Sequence, residues 1–389
     1  MSGRLIFMVG VYDTLDIFAY EMKKRLEERG YETMLFDSRD TVGSLSRLYE
    51  FIKEKVTAVI TFNNLGFNME LVAGQNIWDS LDIWCINILM DHPIYHKSAL
   101  DNPPKKAVVL CPDRNHMKYV QRFFPNIPIV GFLPHGGKEA GNEIKEINSR
   151  SIDILYAGGI SLGKAAFPEP EFKGLPFDGK KIGSEALELL IEEPSRTLED
   201  AVEKVLLDNS IALSETELNE TITAYKYVDQ RATNHYREKV IRTIAHSGLD
   251  ITVYGTGWEN CSWIKDESHM HFMGRVPAEE IVSKMHDAKI VLNTMTWFKD
   301  GTHDRVFNGM LSGAAVFTDS SIYMKESFSD ELEMFELTEI SALPDRIRGL
   351  LSDGSAISAL AERGRIRAKK DCTLFARADE LADDLLSAL

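Results

Sequence analysis

Short apolar runs alternate with helix-period stretches along the whole chain. In the first part, the runs 5–9, 31–36, 58–62, 84–89, 107–111 and 129–132 are continuous and bounded by glycine or polar residues, as in strands buried on both faces. Between them, apolar residues fall three and four apart. Phe18, Met22 and Leu26 do so within 16–29, and the stretches 42–55, 68–81 and 114–124 repeat the spacing, which predicts helices. A polar turn is expected at Asn63-Asn64, and a short β-β step between Leu89 and Ala107. The alternation predicts a doubly wound parallel sheet spanning about 1–150.

The polar stretch 139–151 reads as a linker. A second series opens with a strand at 152–157 that runs into Gly158-Gly159. Prolines and glycines in 167–183 predict a loop, and 184–245 is helical throughout. Capping boxes are expected at Thr197-x-x-Asp200 and Ser214-x-x-Glu217, with a stop at Gly248. Strands are expected at 251–254, 271–273, 290–292, 314–318 and 334–337. Pro277 opens the helix 278–287, and amphipathic helices at 343–351, 357–370 and 374–389 close the chain. This predicts a second α/β domain over 151–371 with a helical insertion at 184–247, followed by a C-terminal helix over 372–389.

The 389 residues carry a net charge of −16, which repels nucleic acid and anionic membrane and argues against both as partners. Cys85, Cys111, Cys261 and Cys372 are scattered without a C-x-x-C pair and read as reduced structural thiols. No run of eighteen apolar residues is long enough to span a membrane, and the N-terminal run is too short for a signal peptide. A cytoplasmic protein is expected.

The densest chemistry lies between Ile290 and Ser320. A strand leads into a polar loop, 293–304, and the loop delivers Gly301, Thr302, His303, Asp304 and Arg305 to the start of a helix that Gly313 stops. The unpaired N–H groups and positive dipole end of such a helix favour an anion such as a diphosphate. Asp13, after the first strand, and His92, in the cluster Asp91-His92-Pro93-Ile94-Tyr95-His96, are further polar groups at strand ends. Pro93 interrupts any regular helix that would pair His92 with His96 as metal ligands.

The run from Asp300 to Asn308, followed by Gly309-Met310-Leu311-Ser312-Gly313-Ala314-Ala315-Val316, resembles the nucleotide-sugar motif of GT-B glycosyltransferases. The CgeB-like, group 1 branch is the nearest in pattern, with Arg305-Val306-Phe307 opening the helix. Asp300 and Asn308 stand where that family has two glutamates. Asn308 can still hydrogen-bond a ribose diol, but without charge. Gly158-Gly159 with Lys164, then Tyr254-Gly255-Thr256-Gly257-Trp258, then Gly274-Arg275-Val276 match further family landmarks in order. The resemblance covers roughly the C-terminal half.

It implies two Rossmann-like domains, the donor bound in the second and the acceptor facing the first across a cleft, with the last helix returning to the first domain. It implies transfer of a sugar from a nucleotide-diphosphate sugar, UDP-sugar favoured, to a hydroxyl of a glycan, protein or small molecule, with no metal or other cofactor. The donor-binding residues would be Gly159, Lys164, Tyr254, Gly255, Gly257, Trp258, Arg275, Val276, Asn293, Asp300, Gly301, Thr302, Asp304, Arg305 and Asn308. Asp13, His92 and His303 are the candidates for catalysis. Two alternatives stand beside this reading: a nucleotide-sugar epimerase of the same fold, and a non-catalytic nucleotide-sugar-binding protein.

Overall fold

The computed structural model describes residues 3–10, 13–72, 74–139, 141, 144–162, 166–172 and 176–389. The chain divides into two compact units, 1–138 with 370–389, and 139–369.

The first unit is built on six parallel strands: β1 (Arg4–Val9), β2 (Glu32–Asp37), β3 (Ala58–Phe62), β6 (Trp84–Ile88), β7 (Ala107–Cys111) and β8 (Ile129–Phe132). Their order is β2-β1-β3-β6-β7-β8, so the winding reverses between β1 and β3. Residues of β1, β3 and β7 are almost wholly buried, which is why their sequences read as unbroken apolar runs rather than alternating ones. The expected helix over 68–81 is replaced by a small antiparallel hairpin, β4 (Glu70–Val72) with β5 (Gln75–Asn76), and a single helical turn, Ile77–Ser80. Gly74 adopts φ 76°, and the Asn76 side chain accepts from Trp78 N–H. A left-handed glycine and a capping asparagine thus break a stretch whose apolar spacing alone reads as helix. β6 and β7 pair in parallel, joined by the short turns Pro93–His96 and Lys97–Leu100.

The tail belongs to this unit. The helix Leu374–Glu380 packs on the helix Asp13–Glu28, and Leu374, Ala378, Leu381 and Leu386 join the first unit's core. Arg25 and Arg29 both reach Asp379, at 2.9 and 3.0 Å.

The second unit repeats the plan with β9 (Ile152–Ala157), β10 (Ile251–Tyr254), β11 (Met270–Gly274), β12 (Ala288–Asn293), β13 (Ala315–Asp319) and β14 (Glu333–Phe335), ordered β11-β10-β9-β12-β13-β14. Here the reversal falls between β9 and β12. Four helices lie between β9 and β10: Gly179–Glu192, Leu198–Asp208, Glu215–Ala224 and Lys226–His246. Ser214 and Glu217 form the reciprocal capping box read from the sequence, and Thr197 accepts from Asp200 N–H. The last of the four buries Tyr236, Val240, Ile241, Ile244 and Ala245 in the core against the sheet, so it is the ordinary crossover helix. No helix among the described residues is long and apolar enough to cross a membrane.

Candidate functional site

In a doubly wound sheet the carboxyl ends of the two strands flanking the reversal leave a crevice. In the second unit those strands are β9 and β12, and three segments meet there.

The first is the glycine turn after β9. Gly158 N–H donates to Tyr254 O and Ile160 N–H to Thr256 O, each at 2.8 Å, lacing this turn to the one after β10. Gly257 holds φ 90°, and a Cβ there would lie 1.7 Å from Ile160 O; only glycine lets the two backbones come so close. Trp258, wholly buried, donates its indole N–H to Gly158 O at 2.7 Å.

The second is the crossover helix Lys226–His246. Asn234 receives Ser161 N–H at 3.1 Å and donates to Ser161 O at 2.6 Å. One turn further on, Arg237 donates through Nη1 to Gly159 O at 2.6 Å and stacks 4.7 Å above the Trp297 ring. Thr233 accepts from Thr296 Oγ1 at 3.0 Å.

The third is the loop between β12 and the helix Asp304–Leu311. Its base is tied down on several sides. Asn293 Nδ2 donates to Thr318 Oγ1 at 2.9 Å, Thr294 shares a 2.8 Å hydrogen bond with Tyr156 OH, and Met295 N–H donates to Asp319 at 2.7 Å. Farther along, Ser321 donates to Gly301 O at 2.6 Å. Burial pushes the Asp319 carboxyl up to about 6, the Met295 N–H working in the other direction.

At the helix start a chain of side chains sets the polarity of the site. The guanidinium of Arg305 can only donate, so its 2.8 Å contact with His303 Nε2 makes that nitrogen an acceptor. The proton then sits on Nδ1, which lies 2.5 Å from Asp304; Asp304 in turn accepts from the Asn308 amide at 3.1 Å. The guanidinium and carboxylate contacts of His303 agree on one neutral tautomer, and the longer 3.2 Å approach of Arg305 N–H to Nδ1 is the contact this tautomer leaves unmade. Burial, then the positive charge of Arg305, lowers the His303 pKa, in keeping with a neutral ring.

Four shielded polar atoms at this edge have no hydrogen-bond partner among the described residues: Arg305 Nη1, Arg237 Nε, Thr302 Oγ1 and Asn293 Oδ1. Arg305 Nη1 lies beneath Gly158, 3.2 Å from where a Cβ would be, so a side chain at 158 would crowd the guanidinium. Burial lowers the Arg305 pKa and Arg237 adds like charge nearby, while a hydrogen bond to the Tyr156 side chain works in the other direction. Two close cations with unmet donors on a glycine turn form a place for an anion.

The structure thus brings together Gly159, Tyr254, Gly255, Asn293, Gly301, Thr302, His303, Asp304, Arg305 and Asn308. Some roles differ from those the sequence implied. Trp258 is wholly buried and supports the glycine turn from below, with no surface left for a ligand. Asn308 is buried and its amide is committed to Asp304. Asp300 is buried at 6% exposure. Arg275 is exposed and Val276 half-buried, beyond β11. Lys164 lies outside the described residues. In the first unit Asp13 is exposed at the start of its helix, and His92 is buried, its Nδ1 accepting Ile94 N–H at 3.1 Å and its ring 4.4 Å from that of His116. Arg237 was not legible as a site residue. Its signal is faint: Thr233, Asn234 and Arg237 form a polar patch beside the apolar stripe Val228, Ala232, Tyr236 and Val240.

Two six-stranded parallel sheets, each flanked by helices, with the last helix returned to the first, are the GT-B fold. Residues 230–383 match the family described as glycosyl transferase-like. Among solved structures, the sucrose-phosphate synthase of Thermosynechococcus elongatus is similar at TM-score 0.52 and 10% identity, over the whole of both chains. Anabaena Alr3699/HepE, solved with UDP and glucose, is similar at TM-score 0.51 and 10% identity, again over both whole chains. An alpha-glucosyltransferase solved with UDP and a 13-mer DNA containing an HMU base is similar at TM-score 0.56 and 10% identity, with the same full coverage. At such identity the likeness is one of fold. No protein of curated function matches the chain in sequence.

Proposed function

We propose that the protein is a glycosyltransferase that takes a sugar from a nucleotide-diphosphate sugar and passes it to a hydroxyl group. The observation that carries this reading is the set of four unpartnered polar atoms, two of them guanidinium nitrogens, at the reversal point of the second sheet. A diphosphate supplies oxygens for the two guanidinium nitrogens and the Thr302 hydroxyl, which can donate, while Asn293 Oδ1 can only accept, as from a sugar or ribose hydroxyl. Departure of the nucleoside diphosphate from the anomeric carbon builds negative charge on its oxygens, and donors already fixed in place stabilise that charge without reorganising. Arg305 is fixed by the His303-Asp304-Asn308 chain and Arg237 by Gly159 O. The N-terminus of Asp304–Leu311 adds its dipole.

UDP-sugars are the favoured donors, since two structures of the same fold carry UDP, and a hexose is the favoured sugar. On this reading the guanidinium pair carries the charge that a divalent cation neutralises in other transferases, and turnover persists in EDTA.

The test is incubation with UDP-, GDP- and dTDP-sugars, following nucleotide release and product mass. Release accelerated by an added hydroxyl acceptor supports transfer. A changed sugar still joined to its nucleotide means an epimerase, and binding without turnover means a sensor; either result removes the transferase reading.

A further inference from the structure

The turn after β3 carries a second chain of directed hydrogen bonds, at the point where the first sheet reverses. Asn63 and Asn64 adopt φ 46° and 65°, a left-handed pair closed by Leu65 N–H to Phe62 O at 3.1 Å. Non-glycine residues in that region carry strain, which the surroundings must hold in place.

Here each side chain is oriented by a backbone N–H, and a backbone N–H can only donate. Asn64 N–H donates to Asn87 Oδ1 at 3.0 Å, which leaves the Asn87 amide to donate to Asn64 Oδ1 at 2.6 Å. Asn64 therefore presents its own amide to His96 Nδ1, 2.7 Å away. Nδ1 must accept, so neutral His96 bears its proton on Nε2. That Nε2 is shielded from solvent and has no partner among the described residues. A parallel chain fixes Asp91: Met90 N–H donates to Asn63 Oδ1 at 2.8 Å, and the Asn63 amide donates to one oxygen of Asp91 at 2.9 Å. Because Asn63 and Asn64 are neighbours in one turn, the two groups they hold, Asp91 and His96, lie at the same end of the sheet, where the charge of Asp91 acts on His96.

A shielded N–H donor without an acceptor is costly, and beside it stands a carboxylate that can only accept. One group satisfies both: a hydroxyl, which accepts through oxygen and donates through hydrogen. We propose that Asp91 and His96 form a hydroxyl-binding pair that seats the acceptor, a polyol such as a saccharide, with Asn63 and Asn64 as positioning residues. The identity of that hydroxyl as acceptor rests on the transferase reading; the pair itself does not.

The experiment uses the full chain labelled with ¹⁵N-histidine and titrated with methyl α-glucopyranoside, methyl β-galactopyranoside and myo-inositol. The proton of His96 is expected on Nε2, and the Nε2 resonance is expected to move with at least one polyol. Asn64→Asp keeps a residue that tolerates left-handed φ but offers only acceptors. At a pH where the ring is neutral it is expected to move the proton to Nδ1 and weaken polyol binding by about tenfold. His96→Gln, whose amide still donates, is expected to retain most of the binding, and His96→Ala to lose it. A proton on Nδ1 in the wild type overturns the proposal. So does an Nε2 signal unmoved by all three polyols, or His96→Ala binding as tightly as the wild type. No nucleotide-sugar enters this measurement, so failure of the donor assay alongside a positive polyol titration removes the transferase reading alone.

Discussion

Asp319 shows how one buried carboxyl can report on the candidate site. It lies at the end of β13 with 2% exposure and accepts Met295 N–H, which anchors the start of the loop after β12. Its carboxyl is pushed up to about 6, against about 3.9 in an unfolded chain. The folded state therefore binds more protons than the unfolded state between about pH 4 and 6, and this group's contribution to stability falls as pH rises through that window. Asp319→Asn keeps an oxygen for Met295 N–H and removes the titration. Denaturant melts from pH 4 to 7 should show the variant gaining about 2–3 kcal/mol relative to the wild type across the window. A difference between the two proteins that does not change with pH would contradict the assignment.

At the scale of elements, the two glycine turns after β9 and β10 act as one piece. Gly257→Ala sets a methyl group against Ile160 O and strains a φ of 90°, so a loss of roughly 3 kcal/mol or more is expected in thermal or urea melts. An unchanged melting temperature would mean that the turns separate easily. The strand-loop-helix-strand unit from β12 to β13 was legible because four signals agree there: an apolar run, a polar loop, His303 before an apolar helical stripe, and Gly313 as a stop. The hairpin at Glu70–Asn76 was not, because Met69, Ala73, Ile77 and Leu81 fall four apart in the sequence and only the φ of Gly74 decides otherwise. The burial of Trp258 is not legible, since a tryptophan beside a glycine turn looks the same from sequence whether it faces a ligand or the core. Arg237 was missed because its partner Gly159 lies 78 residues earlier, a pairing that only the fold creates.

For the molecule as a whole, the chain leaves its first unit after Lys138 and returns to it from Lys370. The returning segment contributes Leu374, Leu381 and Leu386 to the first unit's core and bridges Asp379 to Arg25 and Arg29. Removing residues 370–389 should cost the first unit on the order of 5 kcal/mol, from three leucines at about 1.5–3 kcal/mol each. The second unit keeps its own core. Calorimetric unfolding of the truncated chain should show one transition moved to lower temperature or lost and the other in place. Two transitions identical to the full chain's would contradict this. The net charge of −16 sets the wider constraint: an anionic nucleotide is repelled by the molecule at large, so its affinity must come from the few cations at the reversal of the second sheet.

Isothermal titration of UDP into the wild-type protein and Arg305→Met tests that constraint and the diphosphate site together. The wild type should bind, and the variant should bind roughly 10- to 100-fold more weakly, as expected for loss of a charged donor to an anion, with its melting temperature unchanged. Equal affinity of the two proteins, or a wild type that does not bind UDP, would contradict the account.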